Sequence, residues 1–555
     1  MKIIHGFAST SQDDYQLNML TLIKHAARSF GKQQIVEMKP PGGDVGKTTY
    51  REIFQRINRI TNMLEGLGVK PGDRVGVLEW NTFRHYELYF AISGLGAVLL
   101  QMNPRLSPHD LGYIVNHSKP KLIFADESLV PVAESIYPLI KDVKAYVIMT
   151  DKKLSDLSMI LTPNYSYEKL LSASNPEYDW QMIDEKSASF ACYTSGTTGR
   201  PKGVYYSHRN IYLHSLQTAA SYNITDRSSL LVLPAMFHAS GWGVPQIATL
   251  AGAKLVLPGA YSLQDIRSII QLMQNERVTF AFGATSYFLA MVEEIRKMKE
   301  KPDFSSMTIV SGATEPPPAM MRSYFELTGA TVVQAYGATE TTPFVTVNKI
   351  KPWLEDTLTL EEKRALRAKH GYPVTGIDIK IVGEDGLELP HDGNSVGEIL
   401  VRGPWIAREY FNSPGSENKF TEDGYWKSED VGFIDDEEYL KLVDRTKDLI
   451  KSGGEWISSV DMENEIMRHP SVLEATVVGL FHPKWDERPL ALVVLREEDK
   501  DKTNEEDILN LLKETFAKWQ LPNKILFVDE IPKTSVGKFD KKRLRSTYEN
   551  LFSEK

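Results

Sequence analysis

One cysteine, Cys192, stands among 555 residues. A single thiol allows no internal disulfide framework, which suits a reducing compartment. Free cysteine usually packs as a hydrophobe, so Cys192 reads as a small buried residue and not as a nucleophile. Excess positive charge is missing too. Sixty-four Lys and Arg stand against 73 Asp and Glu, a net charge of −9. That argues against broad binding to nucleic acid or to anionic membrane. Long uncharged runs are missing as well. The longest, around residues 88–102, holds Gly94 and Gly96 and falls short of the ~18 residues of a membrane span. It reads as a buried helix running into a strand at 97–100. The first six residues lack the apolar core of a signal peptide, and neither internal repeats nor low-complexity segments occur. What remains is a soluble cytoplasmic protein without stable membrane insertion, long enough for several structural units.

Periodicity supplies the architecture. Leu17, Leu20, Ile23, Ala27 and Phe30 predict a helix over 17–30. Tyr50, Ile53, Ile57, Ile60 and Leu64 predict another over 49–65, stopped by Gly66. Pro71-Gly72 turns into a strand at 75–78, Ser107-Pro108 opens a helix, and 122–124 is the next strand. Further strands are expected at 146–149, 231–234, 254–257, 278–282, 308–310 and 331–334. This alternation predicts an α/β fold with parallel sheets covered by helices. Residues 354–370 predict a charged helical surface insertion. The run Asp444-Arg445-Thr446-Lys447-Asp448 breaks the chain. Beyond it a helix near 460–468, strands at 474–480 and 490–496 and a helix at 505–519 make an α+β unit of domain size. The expected division is 1–444 and 445–555.

The chemistry centres on Tyr193-Thr194-Ser195-Gly196-Thr197-Thr198-Gly199-Arg200-Pro201-Lys202-Gly203. Glycines allow a tight turn and close approach to a ligand. Backbone N–H groups, hydroxyls and a lysine together make a cradle for polyphosphate. The P-loop pattern does not fit, because Gly203 follows Lys202. The stretch resembles the phosphate-binding signature of the adenylate-forming superfamily, which includes acyl-CoA synthetases, peptide-synthetase adenylation domains and luciferases.

Other segments carry the same resemblance, in the family's order, over roughly 45–545. Gln334-Ala335-Tyr336-Gly337-Ala338-Thr339-Glu340 follows a predicted strand. On its own it would serve equally as a strand-to-helix turn with a capping glutamate. The resemblance implies that Tyr336 flanks adenine, Thr339 touches phosphate, and Glu340 holds Mg²⁺ with Thr194. Ser311-Gly312-Ala313-Thr314-Glu315 resembles the segment lining the adenine. Asp430 stands where the family binds both ribose hydroxyls, although Ser428-Glu429 replaces the usual Thr-Gly before it. Arg445 resembles the ribose-contacting arginine, and Lys447 occupies the hinge of a mobile lid. Lys451 and Trp456 are counted with the nucleotide contacts. Ser452, Gly453 and Gly454 resemble the loop beside the pantetheine arm of coenzyme A.

Lys538, in Pro532-Lys533-Thr534-Ser535-Val536-Gly537-Lys538, resembles the terminal lysine that stabilises negative charge during adenylation. It lies in a segment that reads as an exposed loop. The expected catalytic set is Lys538, Glu340, Thr194 and Lys202. His238, Trp242, Gly283 and Gly337 are expected around the acyl pocket. Trp242 reads either as a gate or as a core tryptophan. Gly337 replaces a tryptophan found in acetate-type relatives, and the space it leaves is expected to be open.

The resemblance thus implies a large N-terminal domain, with two sheets and a distorted β-barrel, and a small α+β lid. It implies an ATP- and Mg²⁺-dependent ligase that joins a medium- or long-chain fatty acid to coenzyme A through an acyl-adenylate. A homodimer fits the resemblance. A shorter, hydroxylated or aromatic acid is the alternative. Carrier-protein loading, luciferase-type oxygenation and non-catalytic nucleotide sensing are the rivals. Intact Lys202, Glu340 and Lys538 argue against the last.

Overall fold

The computed structural model describes residues 3–12, 14–39, 44–194, 200–453, 455–534 and 538–552. Ser195, Gly196, Thr197, Thr198, Gly199 and Gly454 therefore lie outside the described residues.

Two seven-stranded sheets form the body. In the first, Thr331–Gln334, Thr308–Gly312, Phe280–Ala284, Ser229–Val232, Lys254–Leu257 and Gln34–Met38 run parallel in that spatial order, and Val45–Thr49 closes the edge antiparallel. In the second, Asn164–Ser166, Ala145–Met149, Leu122–Asp126, Arg74–Leu78, Val98–Gln101 and Ala188–Thr194 are parallel, and Lys202–Ser207 is the antiparallel edge. Parallel strands are buried on both faces. Hence Val98–Gln101 is buried throughout, and the helix Phe83–Gly94 that precedes it is buried from His85 onward.

The predicted helices at 17–30 and 49–65 are Met19–Ser29 and Tyr50–Gly66. Thr49 accepts from the Glu52 N–H while the Glu52 side chain returns to the Thr49 N–H, a reciprocal cap that fixes the start of the second. Gly66 is its last residue, one position inside the stop expected. The insertion forms two short helices, Pro352–Glu355 and Leu360–Ala368. Where a barrel was expected, Asp378–Val382, Gly397–Arg402, Trp426–Ile434 and Leu440–Arg445 make a four-stranded antiparallel sheet.

The C-terminal sheet is built on the hairpin Val472–His482 and Asp486–Leu495. Its two faces pack separate cores. One holds Ile450, Met462, Val477, Ala491 and Ile508, and the other holds Val478, Leu490, Leu492, Ile531 and Leu544. The helix expected at 505–519 stops at Leu512. Ala517 N–H then bonds the Gln520 side chain, so the chain turns there instead of continuing the spiral. Among the described residues, no helix is long and apolar enough to cross a membrane.

Candidate active site

In open α/β sheets, ligands collect beyond the carboxyl ends of the parallel strands. Four neighbouring strands of the first sheet follow that rule. The chain leaving each contributes Leu233 and Pro234, then Thr285 to Tyr287, then Ala313 to Glu315, then Ala335 to Glu340. All line one cavity of about 670 Å³. The second sheet adds Thr194, Pro201 and Lys202, the antiparallel sheet adds Asp430 and Arg445, and the C-terminal unit adds Lys538.

Antiparallel pairing sets Lys202 opposite Thr194. Lys202 Nζ sits 4.9 Å from the ring centre of Tyr410. The Tyr410 hydroxyl donates to Glu340 Oε1 at 2.6 Å. Burial raises the Glu340 carboxyl above its ordinary pKa, and the Tyr410 hydrogen bond opposes that rise. Tyr336 donates its hydroxyl to Asp430 Oδ2 at 2.7 Å, and Arg445 Nε lies 3.2 Å from Asp430 Oδ1. Gln334 and His370 meet at 2.5 Å through their side-chain nitrogens. Thr339 lines the cavity, and its carbonyl accepts from Tyr206. Glu315 accepts from Lys441 Nζ through both oxygens at 2.6 Å and from Asn464 Nδ2 at 3.1 Å.

Non-glycine residues of the wall carry positive φ here. Glu429 has φ 61° and Ala313 has φ 73°, a region where glycine carries no Cβ penalty. Glu429 is held all the same. Its N–H bonds Glu398, its carbonyl accepts from the Thr446 N–H, and its carboxylate pairs with Lys419. Ser428 Oγ caps the Asp430 N–H at 3.0 Å. Asp430 therefore keeps its place in the wall without the Thr-Gly dipeptide.

Lys538 is partly exposed, and residues 535–537 of the expected loop lie outside the described residues. Burial is the main cause that pushes its ammonium down to about 8. Arg445 and Lys447 push the same way, and Asp430 and Glu340 oppose them. His238 is pushed down to about 4, chiefly by burial and further by Lys538 and Arg105, so it is neutral near pH 7. Among the described residues, no cluster of three His, Cys, Asp or Glu side chains is arranged to hold a metal ion.

Trp242 lies on the cavity wall at φ 55°, between Gly241 at 61° and Gly243 at 73°. Its ring meets Phe344 edge-on at 5.9 Å. Gly283 does not line the cavity. A Cβ there would point into Leu233 and Phe288, at 3.1 Å from each. The expected open space at Gly337 is absent as well. A Cβ at 337 would stand 1.9 Å from the Pro343 carbonyl oxygen, because Gly337 bridges to Phe344 across a tight antiparallel turn. Close backbone approach, not pocket depth, accounts for that glycine. Gly312 does face the cavity, but a Cβ there would press on the Trp242 ring at 3.1 Å.

The Lys451–Trp456 hairpin lies apart from the cavity. None of Lys451, Ser452, Gly453 and Trp456 lines it, whereas Lys447 does. Lys451 Nζ sits 5.6 Å over the half-exposed Trp456 ring. Ser452 accepts from Arg488 at 2.9 Å, and the Gly453 N–H donates to the Trp485 carbonyl at 2.8 Å. Tyr410 and His370 belong to the wall and Lys441 holds its Glu315, and none of the three was singled out in the sequence. Each stands alone in its segment, so no local pattern marks it; Tyr410 is 70 positions from the Glu340 it bonds.

The family model of the AMP-binding enzyme matches residues 23–411, and that of the AMP-binding enzyme C-terminal domain matches 461–538. The chain belongs to the AMP-binding enzyme family. The enzyme is 42% identical to a long-chain-fatty-acid–CoA ligase of Thermus thermophilus over 99% of this chain and 98% of that protein. It is 37% identical to a medium-chain-fatty-acid–CoA ligase of Ectopseudomonas oleovorans, over 97% of each. Its fold matches the crystal structure of the anthranilate CoA ligase AuaEII in complex with anthranoyl-AMP. The TM-score is 0.84 at 22% identity, over 97% of this chain and 99% of that one.

Proposed function

We propose that this enzyme is an AMP-forming acyl-CoA synthetase acting on a medium- or long-chain fatty acid. One observation carries the reading. A single cavity is lined both by charged residues, among them Lys202, Glu340, Arg445 and Lys538, and by apolar ones, among them Leu233, Phe237, Trp242, Leu289 and Phe344. A fatty acid, with a carboxylate and an apolar chain, matches that mixed lining. The long- and medium-chain relatives support the same choice of acid.

The proposed reaction has two halves. A carboxylate oxygen of the acid bonds to the α-phosphorus of ATP, and pyrophosphate leaves with the electrons of the broken P–O bond. The thiolate sulfur of coenzyme A then bonds to the acyl carbon, and AMP leaves. Lys202 and Lys538 balance the charge that develops on phosphate oxygens. Asp430 accepts from the ribose hydroxyls, with Arg445 and the Tyr336 hydroxyl fixing the carboxylate. His238, neutral and short of hydration, leaves the acid's carboxylate as the local anion.

The wall also suits Mg²⁺, which takes hard oxygen ligands and shares phosphate. Glu340 is a buried carboxylate whose hydrogen-bond partner is the neutral Tyr410, and Thr194 adds a hydroxyl to the same cavity. When bound, the ion supplies Lewis-acid stabilisation of phosphate charge. The second half assigns Ser452, Gly453 and Gly454 to the coenzyme A path, reached by rotation about Lys447 between units 1–444 and 445–555. That the described hairpin residues do not line the cavity supports such a rotation. We take the enzyme to be cytoplasmic.

ATP–pyrophosphate exchange across straight-chain acids of increasing length tests the reading. Exchange should be strongest for medium or longer chains and should need Mg²⁺. Coenzyme A should then yield thioester and AMP in equal amounts. Exchange with no acid, or with acetate alone, would overturn it.

A further inference from the structure

Arg496 follows the strand Asp486–Leu495 of the C-terminal unit. Its guanidinium is held by that unit's own backbone. Nε donates to the Pro470 carbonyl at 2.8 Å and Nη2 to the Val472 carbonyl at 3.4 Å. Its backbone N–H also bonds the Ser471 carbonyl at 2.9 Å. The remaining nitrogen, Nη1, reaches across to Glu293 Oε2 on the body. The side chains are 23% and 19% exposed, so the pair is largely shielded from solvent and from screening by salt. An arginine whose other donors are already fixed loses little further freedom when it engages a carboxylate.

Glu293 lies on the helix Thr285–Lys297. The first turns of that helix are cavity wall, through Thr285, Ser286, Tyr287 and Leu289. Glu293 follows Leu289 by four positions, on the same helical face. The helix therefore touches the cavity at one end and the C-terminal unit near the other. Neither Glu293 nor Arg496 lines the cavity. The arrangement that joins them is also the one in which Lys538 faces it.

We propose that Glu293 and Arg496 form a latch, as positioning residues that bias the C-terminal unit toward the arrangement in which Lys538 serves adenylation. The inference rests on the two-half reaction proposed above. The latch contributes to the first half and must open for the second. Removing it shifts the balance between arrangements without touching a reacting group, which is population shift in its ordinary form.

Glu293→Gln, Arg496→Gln and the double variant test this in single turnovers. Each single change should slow acyl-AMP formation roughly five- to tenfold, the low end of typical coupling between sites. Thioester formation from supplied acyl-AMP should hold or rise. The double variant should fall no further than either single one, as expected for partners in one contact. Arg496→Lys, which keeps the charge, should recover part of the loss. Equal losses in both halves, additive losses, or none would overturn the latch. A second measurement needs no substrate. Spin labels at Leu216 and Phe481, both exposed, report the distance between body and C-terminal unit. Glu293→Gln should move population away from the wild-type distance. An unchanged distribution overturns the latch even if the enzyme's acid proves to be different. Failure of exchange by the wild-type enzyme with every acid would instead defeat the functional reading.

Discussion

The proposed function makes Lys538 the residue on which the first half-reaction turns. Its ammonium is charged below about pH 8 in the free enzyme, since burial lowers its pKa from the usual lysine range. Lys538→Ala should cut acyl-AMP formation by ~10²-fold or more, the scale of removing a preorganised charge-stabilising group. Thioester formation from supplied acyl-AMP should survive. For the wild type, kcat/KM for adenylation should fall as pH rises through about 8, where the charge is lost. Lys538→Arg should retain charge there, so whatever activity it keeps should lose that limb. Glu429 offers a stability test nearby. Its φ of 61° costs a non-glycine residue about 1–2 kcal/mol, and its pair with Lys419 is exposed on the Glu429 side and worth about 1 kcal/mol or less. Glu429→Gly should raise stability by roughly 0.5–1 kcal/mol, read as a higher urea midpoint at unchanged slope. A lower midpoint would show that the Glu398, Lys419 and Thr446 contacts outweigh the strain.

The turns and hairpins show where sequence suffices and where it stops. Period and capping residues made Met19–Ser29, Tyr50–Gly66 and the parallel strands legible, because each is a local pattern. The sheet of Asp378–Val382 through Leu440–Arg445 was not resolved into strands. Its pairs join residues across long loops and carry bulges near Glu398 and Val431, which break simple alternation. Gly337 was visible but misread. Its constraint is the carbonyl of Pro343, six positions on, and only the folded turn reveals that contact. Gly453 is the converse. Its φ of 62°, together with a Trp485 ring 2.9 Å from any added Cβ, explains the glycine the motif demands. Gly453→Val should therefore distort the hairpin. The hairpin is clear of the cavity, so adenylation should keep most of its rate while thioester formation from supplied acyl-AMP drops by at least tenfold. Comparable loss of pyrophosphate release would assign the hairpin a purely structural part.

At the scale of the molecule, preference for acid length tests how the cavity is closed. Gly337 cannot set its depth, since a side chain there meets backbone before it meets the acid. Trp242 is the better candidate. It lines the cavity and backs onto Phe344. Each methylene buried contributes about 0.8 kcal/mol, roughly three- to fourfold in kcat/KM. The wild type should thus climb from acetate by orders of magnitude and level off where the acyl chain reaches a wall. If Trp242 is that wall, Trp242→Ala should move the plateau to longer acids, leave the slope per methylene unchanged below it, and leave the KM for ATP nearly constant. Gly337→Trp should instead lower the thermal midpoint and weaken activity with every acid alike. A plateau that stays fixed in Trp242→Ala would place the end of the acyl compartment elsewhere. The next candidates are Tyr261 and Leu289, which also line the cavity.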